Sequence, residues 1–488
     1  MFANLVLVVG LSSATTQLDG GQGPDADGDS GVIAAEVPDA GVVVPTAARP
    51  AEALPAPGFD LSATLWGPGR KSSGEVFRSA ATTLEAGPLR WRWNDFSLGL
   101  GLQYFARAEA RDNADFNTAN RDFGLLLDHR ARVTARASAF GRVGAVVELQ
   151  DVRGWGTEPS TTALLPAAAV HQGFVDVRAG PVDVRVGRQE LSYGEDRLIG
   201  SLDWAQTARA FDGVFLRVTP MSALTVDAFG MLLKPPAFLT DSGGARFQNS
   251  GSYFTGVYTR YRRAKWGLDV YALGLLDDPS TATTGFRPDH NRLTLGGRGF
   301  VPVGPLSFIA EGALQLGVSS AKERILAGAF AGRATWSLPA GLYVTGDVSA
   351  ATGDGTPGDG TESTFHQLFP TAHIHLGYID YVGWQNVVGV RGTAGFKQPW
   401  LHVWLDVHHL RAWDPRGAWY AANGSVLVAA DPTRTAGVMG NEVDLSVTVP
   451  LAPSVALAGA VSVFFPGGMQ GASSNPSSWG FVYVRSQL

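Results

Sequence analysis

The sequence predicts an all-β fold, a single transmembrane antiparallel β-barrel of about eighteen strands, behind a disordered N-terminal segment. Three observations carry this. Apolar residues alternate with polar or small ones over runs longer than the five or six residues of an ordinary strand. Tight turns and long connections take turns along the chain, as in barrels with short periplasmic turns and long extracellular loops. No run of 18 or more apolar residues follows the N-terminus, which argues against spanning helices but not against strands that hide their apolar residues at every second position.

At the N-terminus, the apolar run 2–11 is followed by Ser12-Ser13-Ala14. Residues 1–16 read as a signal peptide, although no Lys or Arg precedes the core. Residues 17–90 are rich in Gly, Ala, Pro, Val and Asp. Such a composition buries too little apolar surface to offset its ordering entropy, so a disordered acidic periplasmic segment and lead-in is expected there. The barrel is expected over 91–488. The net charge of -6 is uneven: residues 1–60 hold eight acids and one base, leaving 36 acids and 37 bases beyond them. With no cysteine in the chain, disulfides and thiolate zinc sites are excluded.

Residues 96–111 set the pattern for the strands. Phe96, Leu98, Leu100, Leu102 and Tyr104 share one face; Gln103, Arg107, Glu109 and Arg111 share the other. Eighteen candidate strands follow this logic, near 96–111, 122–138, 141–152, 168–178, 182–192, 210–218, 222–232, 252–262, 265–277, 291–302, 306–316, 324–337, 341–352, 384–396, 400–412, 437–449, 454–465 and 478–488. Turn dipeptides such as Gly180-Pro181, Gly304-Pro305 and Pro339-Ala340 close every second connection. The long connections are 153–167, 193–209, 233–251, 278–290, 353–383 and 413–436. A sandwich has no reason to sort loop lengths by parity. Closure satisfies every backbone polar group in lipid, and eighteen strands leave an aqueous lumen.

Two stretches are similar to a known family. The first runs Gly187-Arg188-Gln189-Glu190-Leu191-Ser192-Tyr193-Gly194-Glu195-Asp196-Arg197-Leu198-Ile199-Gly200, then Trp204 and Arg209-Ala210-Phe211-Asp212-Gly213. The second runs from Phe365 to His373, then Gly377-Tyr378-Ile379-Asp380, Gly383-Trp384-Gln385-Asn386 and Ala418-Trp419-Tyr420. With Glu148–Arg153 and Asn441–Asp444 in support, the chain from about 95 onward resembles the alginate-export (AlgE-like) outer-membrane family. The resemblance implies an eighteen-stranded barrel whose Arg-rich constriction passes an anionic polysaccharide outward. One departure stands out: the family's exporter carries a long periplasmic plug loop near its C-terminus, whereas the matching turn here, 450–454, is tight.

On this register the lumen-facing charges are Arg107, Glu109, Arg111, Arg130, Arg132, Arg136, Glu148, Arg333, Asp347, Arg391, Asp406, Glu442 and Asp444. Arg130, Arg132 and Arg136 share one face of one strand, where a ladder of Arg selects anions; the plainer alternative is a salt-bridged wall. The loop motif holds Arg188, Glu190, Arg197, Asp203, Trp204, Arg209 and Asp212, which either narrow the mouth or pin the loop by internal ion pairs. Trp204 either stacks on a sugar or anchors the loop. His373 and His375, two apart, have only Asp380 nearby as a carboxylate, and no metal site is expected. Trp266, Trp336, Trp400 and Trp479 fall near strand ends, where interfacial girdles sit. No nucleophile elbow, phosphate loop or metalloprotease helix appears, so no catalytic residue or cofactor is expected. The expected function is an anion-passing outer-membrane pore, with a general small-solute porin as the alternative. Expected partners are outer-membrane lipid, an anionic polysaccharide or small anionic solute, and periplasmic export proteins; nucleic acid is not among them. The barrel is expected to be monomeric.

Overall fold

The computed structural model describes residues 89–119, 122–155, 169–234, 237–241, 244–248, 251–276, 291–471 and 474–487. The expected signal peptide and nearly all of the expected disordered segment lie outside the described residues, and residues 89 and 90 already belong to a strand.

Eighteen long strands pair antiparallel, each with its neighbours in sequence. They are β1 (Phe96–Asp112), β2 (Gly124–Ala139), β3 (Val143–Trp155), β4 (Ala169–Ala179), β5 (Val182–Gln189), β6 (Phe211–Met221), β7 (Leu224–Lys234), β8 (Ser252–Arg262) and β9 (Gly267–Leu276). The second half comprises β10 (Asn291–Val303), β11 (Leu306–Val318), β12 (Arg324–Ser337), β13 (Leu342–Ala351), β14 (Val387–Gln398), β15 (Leu401–Arg411), β16 (Val438–Ala452), β17 (Val455–Pro466) and β18 (Ser477–Gln487). The ladder from Gln103↔Gln487 to Asp112↔Ser478 joins β1 to β18 and closes the barrel. The rest of β1 is covered by the short strand Leu89–Trp93, folded back through Asn94-Asp95 so that Leu89 meets Leu100. Neither end of the seam is left with a bare edge, which is what a lipid environment demands.

The predicted alternation is visible in burial. On β9, Leu268 and Val270 point outward and exposed, while Asp269 and Tyr271 are buried inward. On β15, Leu405 and Val407 face out; His402, Trp404, Asp406 and His408 face in. The turns at one end are tight. Gly180 and Gly304 hold φ near +60°, which a side chain would strain. The connections at the other end are longer, with one departure from the expected parity: 319–323 is a five-residue link. Residues Thr361–Glu362 of the next long loop pair with Arg324 and Ile325 beside it. Trp91, Trp93, Trp266, Trp336 and Trp400 are exposed around the tight-turn end, as an interfacial girdle requires. Trp479 is a correction: it is buried, because odd positions of β18 point into the barrel, and it packs on Phe481 and Trp204.

Candidate functional site

The lumen is occupied by two loops from the long-loop end, and these are the two stretches whose motifs stood out in the sequence. The first, residues 190–210, crosses the barrel. At its start Tyr193 stacks on Tyr258 of β8, ring centroids 4.2 Å apart, and its hydroxyl donates to Asp227 of β7. A turn at Tyr193–Asp196 uses positive φ at Gly194 and Asp196. Beyond it, Glu195 pairs with Arg333 of β12 at 2.5 Å, and Arg197 with Asp347 of β13 at 3.3 Å. The returning limb reaches the opposite wall. Asp203 pairs with Arg130 (2.9 Å) and Arg132 (3.2 Å) of β2 and with Arg485 of β18 (2.9 Å). Arg130 also donates to the carbonyls of Asp203, Ala205 and Gln206, and Arg107 to that of Trp204. The loop is thus tied at β2 and at β12, eight strands apart by the shorter way round a ring of eighteen.

Charge and burial act together here. Burial pushes the Glu195 carboxyl up, but Arg333, Arg197 and Arg298 overcome it and hold it below its usual range. Arg209, half-buried near the loop's end with Asp196 as its opposing charge, is pushed down to about 10 by desolvation. It remains cationic at neutral pH and donates to the carbonyls of Gly200, Phe369 and Pro370.

The second loop, residues 352–386, packs against the first as a short parallel bridge between Ile199 and Phe369. Gly200 N donates to Phe369 O (2.8 Å), and Phe369 N to Leu198 O (2.9 Å). His375 Nε2 meets Glu195 O at 2.9 Å. Burial, then Arg197, Arg333 and Arg391, hold this imidazole well below its ordinary pKa, so it is neutral and Nε2 carries the donated hydrogen. The wall takes the loop up through Arg391 to Ile374 O, Arg111 to Ile379 O, and Ile379 N to Glu442.

The residues singled out from sequence divide into groups. Arg130 and Arg132 are buried in ion pairs with the first loop; Arg136, on the same face, is half-buried nearer the tight-turn end. Arg107 pairs with Glu109 and Asp128. Glu148 accepts from Thr134 and lies 3.7 Å from Arg132. Arg333 and Arg391 both bind Asp347. Glu190 pairs with His171 at 2.7 Å, and Arg188 with Asp212 in an exposed pair. Trp204 anchors: Arg107 lies 3.9 Å above its ring, His373 stacks on it at 4.5 Å, and Phe481 meets it edge-on. A further bonded sector was not singled out. Asp227 takes Arg217 and Arg260; Asp269 takes Arg262, Arg298 and the Tyr258 hydroxyl; Glu311 takes Tyr271. The same alternation, applied to 210–218, 222–232, 252–277, 291–302 and 306–316, points to these residues.

Between the two loops, the wall and the 412–437 connection lies a cavity of about 1250 Å³. Five arginines border it, Arg107, Arg111, Arg188, Arg209 and Arg292, against three carboxylates, Asp212, Glu362 and Asp380. Two clusters of histidine and carboxylate also face the lumen: Glu148–His171–Glu190 and Asp406–His408–Asp444.

The family model described as alginate export matches residues 96–478 of this chain. Among solved structures, the chain is similar to the outer membrane protein OprD from Pseudomonas aeruginosa, at 12% identity, covering 84% of this chain and 97% of that one with a TM-score of 0.54. It is also similar to OccK8 (OprE) from Pseudomonas aeruginosa (13% identity, 83% and 99% covered, TM-score 0.53). A third similar structure is OccAB2 from Acinetobacter baumannii (8% identity, 80% and 98% covered, TM-score 0.54). Likeness at such identities concerns the fold alone. No curated protein sequence matches the chain.

Proposed function

Because the chain belongs to the alginate-export family, we propose that this barrel of the bacterial outer membrane passes an anionic polysaccharide, or a smaller anionic solute, through an arginine-bearing lumen. The observation that carries the reading is the cationic excess around the cavity, five arginines against three carboxylates. A low-dielectric vestibule with a net excess of one sign of charge concentrates the opposite ion, and rings of Arg favour anions. The barrel works as a conduit, with no catalytic step assigned to it. Lipid is its partner on the outer face, and periplasmic proteins that deliver cargo are proposed partners at the tight-turn end. The barrel is proposed to act as a monomer.

A second reading is a general small-solute porin, and one observation favours it. Arg130, Arg132 and Arg333 are spent on ion pairs that hold the first inner loop, and Arg391 holds the second through the Ile374 carbonyl. A polymer needs those loops displaced, whereas a small solute does not.

The experiment is single-channel recording of refolded protein in a planar bilayer, with the reversal potential measured under a salt gradient and then with a soluble polyuronate added. Anion preference with block by the polymer supports the export reading. Anion preference without block narrows it to small anions. Weak selectivity and indifference to polymer favour the porin reading, and cation preference overturns the proposal.

A further inference from the structure

We propose that Asp406, His408 and Asp444 form a binding site for one divalent first-row metal cation of the zinc type on the lumen wall. The register creates the site. Asp406 on β15 and Asp444 on β16 are direct cross-strand partners, and His408 lies two residues along the same face, opposite Glu442. One ligand atom from each of the three residues lies within 4.8 Å of the others. One ion holds its donors at about 2.0–2.2 Å, so the three side chains need to draw in by small rotations to converge on it. Two carboxylates with one imidazole form a donor set that such cations accept.

The second observation is what the site lacks in compensation. Two like charges directly opposite on adjacent strands repel, and a buried charge needs a partner. Asp406 is 2% exposed, His408 2%, and both Asp444 and Glu442 0%. Asp406 receives the Thr393 hydroxyl, but Arg391 stands 4.0 Å off and is bonded to Asp347 and Ile374 O. No backbone or side-chain N–H among the described residues donates to either carboxylate oxygen of Asp444 or to Glu442 Oε2; the polar neighbours of Asp444 are the Glu442 carboxyl and the His408 imidazole. His408 Nε2 makes no hydrogen bond although it lies 3.3 Å from Asp444 Oδ2. Two buried carboxyl groups and an imidazole therefore face one another, and a cation bound among them would displace the proton that otherwise relieves their repulsion.

The other cluster provides the contrast. In Glu148–His171–Glu190, Arg132 stands 3.7 Å from each carboxylate, and Thr134, Gln172 and His171 supply hydrogen bonds. That cluster already holds its cation and its donors. The Asp406–His408–Asp444 site also sits at the foot of the second inner loop, because Glu442 Oε1 accepts Ile379 N at 2.9 Å. A bound ion would brace the wall that carries that loop.

The test uses the untagged full chain, refolded in detergent, stripped with chelator and dialysed against Zn²⁺, with metal counted by elemental analysis and unfolding followed by heating. The expected result is one saturable Zn²⁺ per barrel and a raised unfolding temperature. His408→Gln and Asp444→Asn should each weaken binding at least tenfold, and His171→Gln should leave it unchanged. Without metal, Asp444→Asn should be no less stable than the parent, because it relieves the repulsion. Absence of a saturable site in the parent chain overturns the proposal without any variant. So does binding that survives both His408→Gln and Asp444→Asn, or binding that is lost in His171→Gln.

Discussion

At the scale of the residue, Asp203 is the point on which the first inner loop turns. It faces three guanidinium groups, those of Arg130, Arg132 and Arg485, while only 8% exposed. Breaking a buried ion pair by removing one member leaves the other charge stranded, at a cost of about 3–5 kcal/mol. Asp203→Ala is therefore expected to release the returning limb. Single-channel conductance should rise, and denaturant titration should show lost stability while the strand signal in circular dichroism persists. Arg111 and Arg209 border the cavity and donate to loop carbonyls rather than to the Asp203 carboxylate. Replacing both with Gln should move the reversal potential toward cations, and an unmoved potential would place selectivity elsewhere in the lumen.

At the scale of the element, the two inner loops hold each other. Gly200 leaves no room for a side chain: a Cβ there would sit on Thr371 Oγ1 and 2.8 Å from Thr371 N. Gly200→Val should part the Ile199–Phe369 bridge and raise conductance, with the barrel still folding. The loops also respond to acid. His375 faces Arg197 from the first loop, Arg333 and Arg391 from the wall, and Asp347. Its pKa in the docked loop lies below the value of about 6.5 for a free imidazole. A released loop takes up the proton first, so docking is intact above about pH 6.5 and weakens as pH falls below it. Glu195, held low by Arg333 in spite of burial, adds stability above about pH 4.3 that is lost on further acidification. Conductance measured from pH 8 down to about pH 3 should thus rise in two steps, and His375→Gln should remove the first.

At the scale of the whole molecule, stability divides between a closed ladder facing lipid and a polar interior facing the loops. The outer face carries Leu125, Leu127, Val133, Val147, Leu149 and Val175, all exposed, as a protein solvated by acyl chains requires. Val133 stands near the middle of β2, and Val133→Arg should cost about 2–4 kcal/mol of folding free energy in bilayers. Urea titration in lipid vesicles measures it. The inward neighbour Thr134, bonded to Glu148, lies on the other side of the same pleat. The contrast between the two faces is the physical content of the strand periodicity.

The sequence by itself determined the strand number, the two faces of each strand and the sorting of most tight turns from long loops. Each of these follows from local rules: a side chain one position along points the other way, and a Gly-Pro pair bends the chain wherever it occurs. It also marked the two stretches, 187–213 and 365–386, that turned out to fill the lumen. Only the tertiary structure decided what meets what. The spacing of Arg130, Arg132 and Arg136 is the same whether their charges face open water or a folded-in loop. It is the return of residues 203–206 across the barrel that spends two of the three on ion pairs. Trp479 sits at a strand end in the sequence, yet the inward pleat of β18 carries it to Trp204 rather than to the membrane interface. Asp406 and Asp444 are far apart in the chain and in the sequence are two unrelated wall charges; hydrogen-bond register makes them neighbours. Contacts between distant segments depend on barrel closure and loop packing, and no local pattern encodes either.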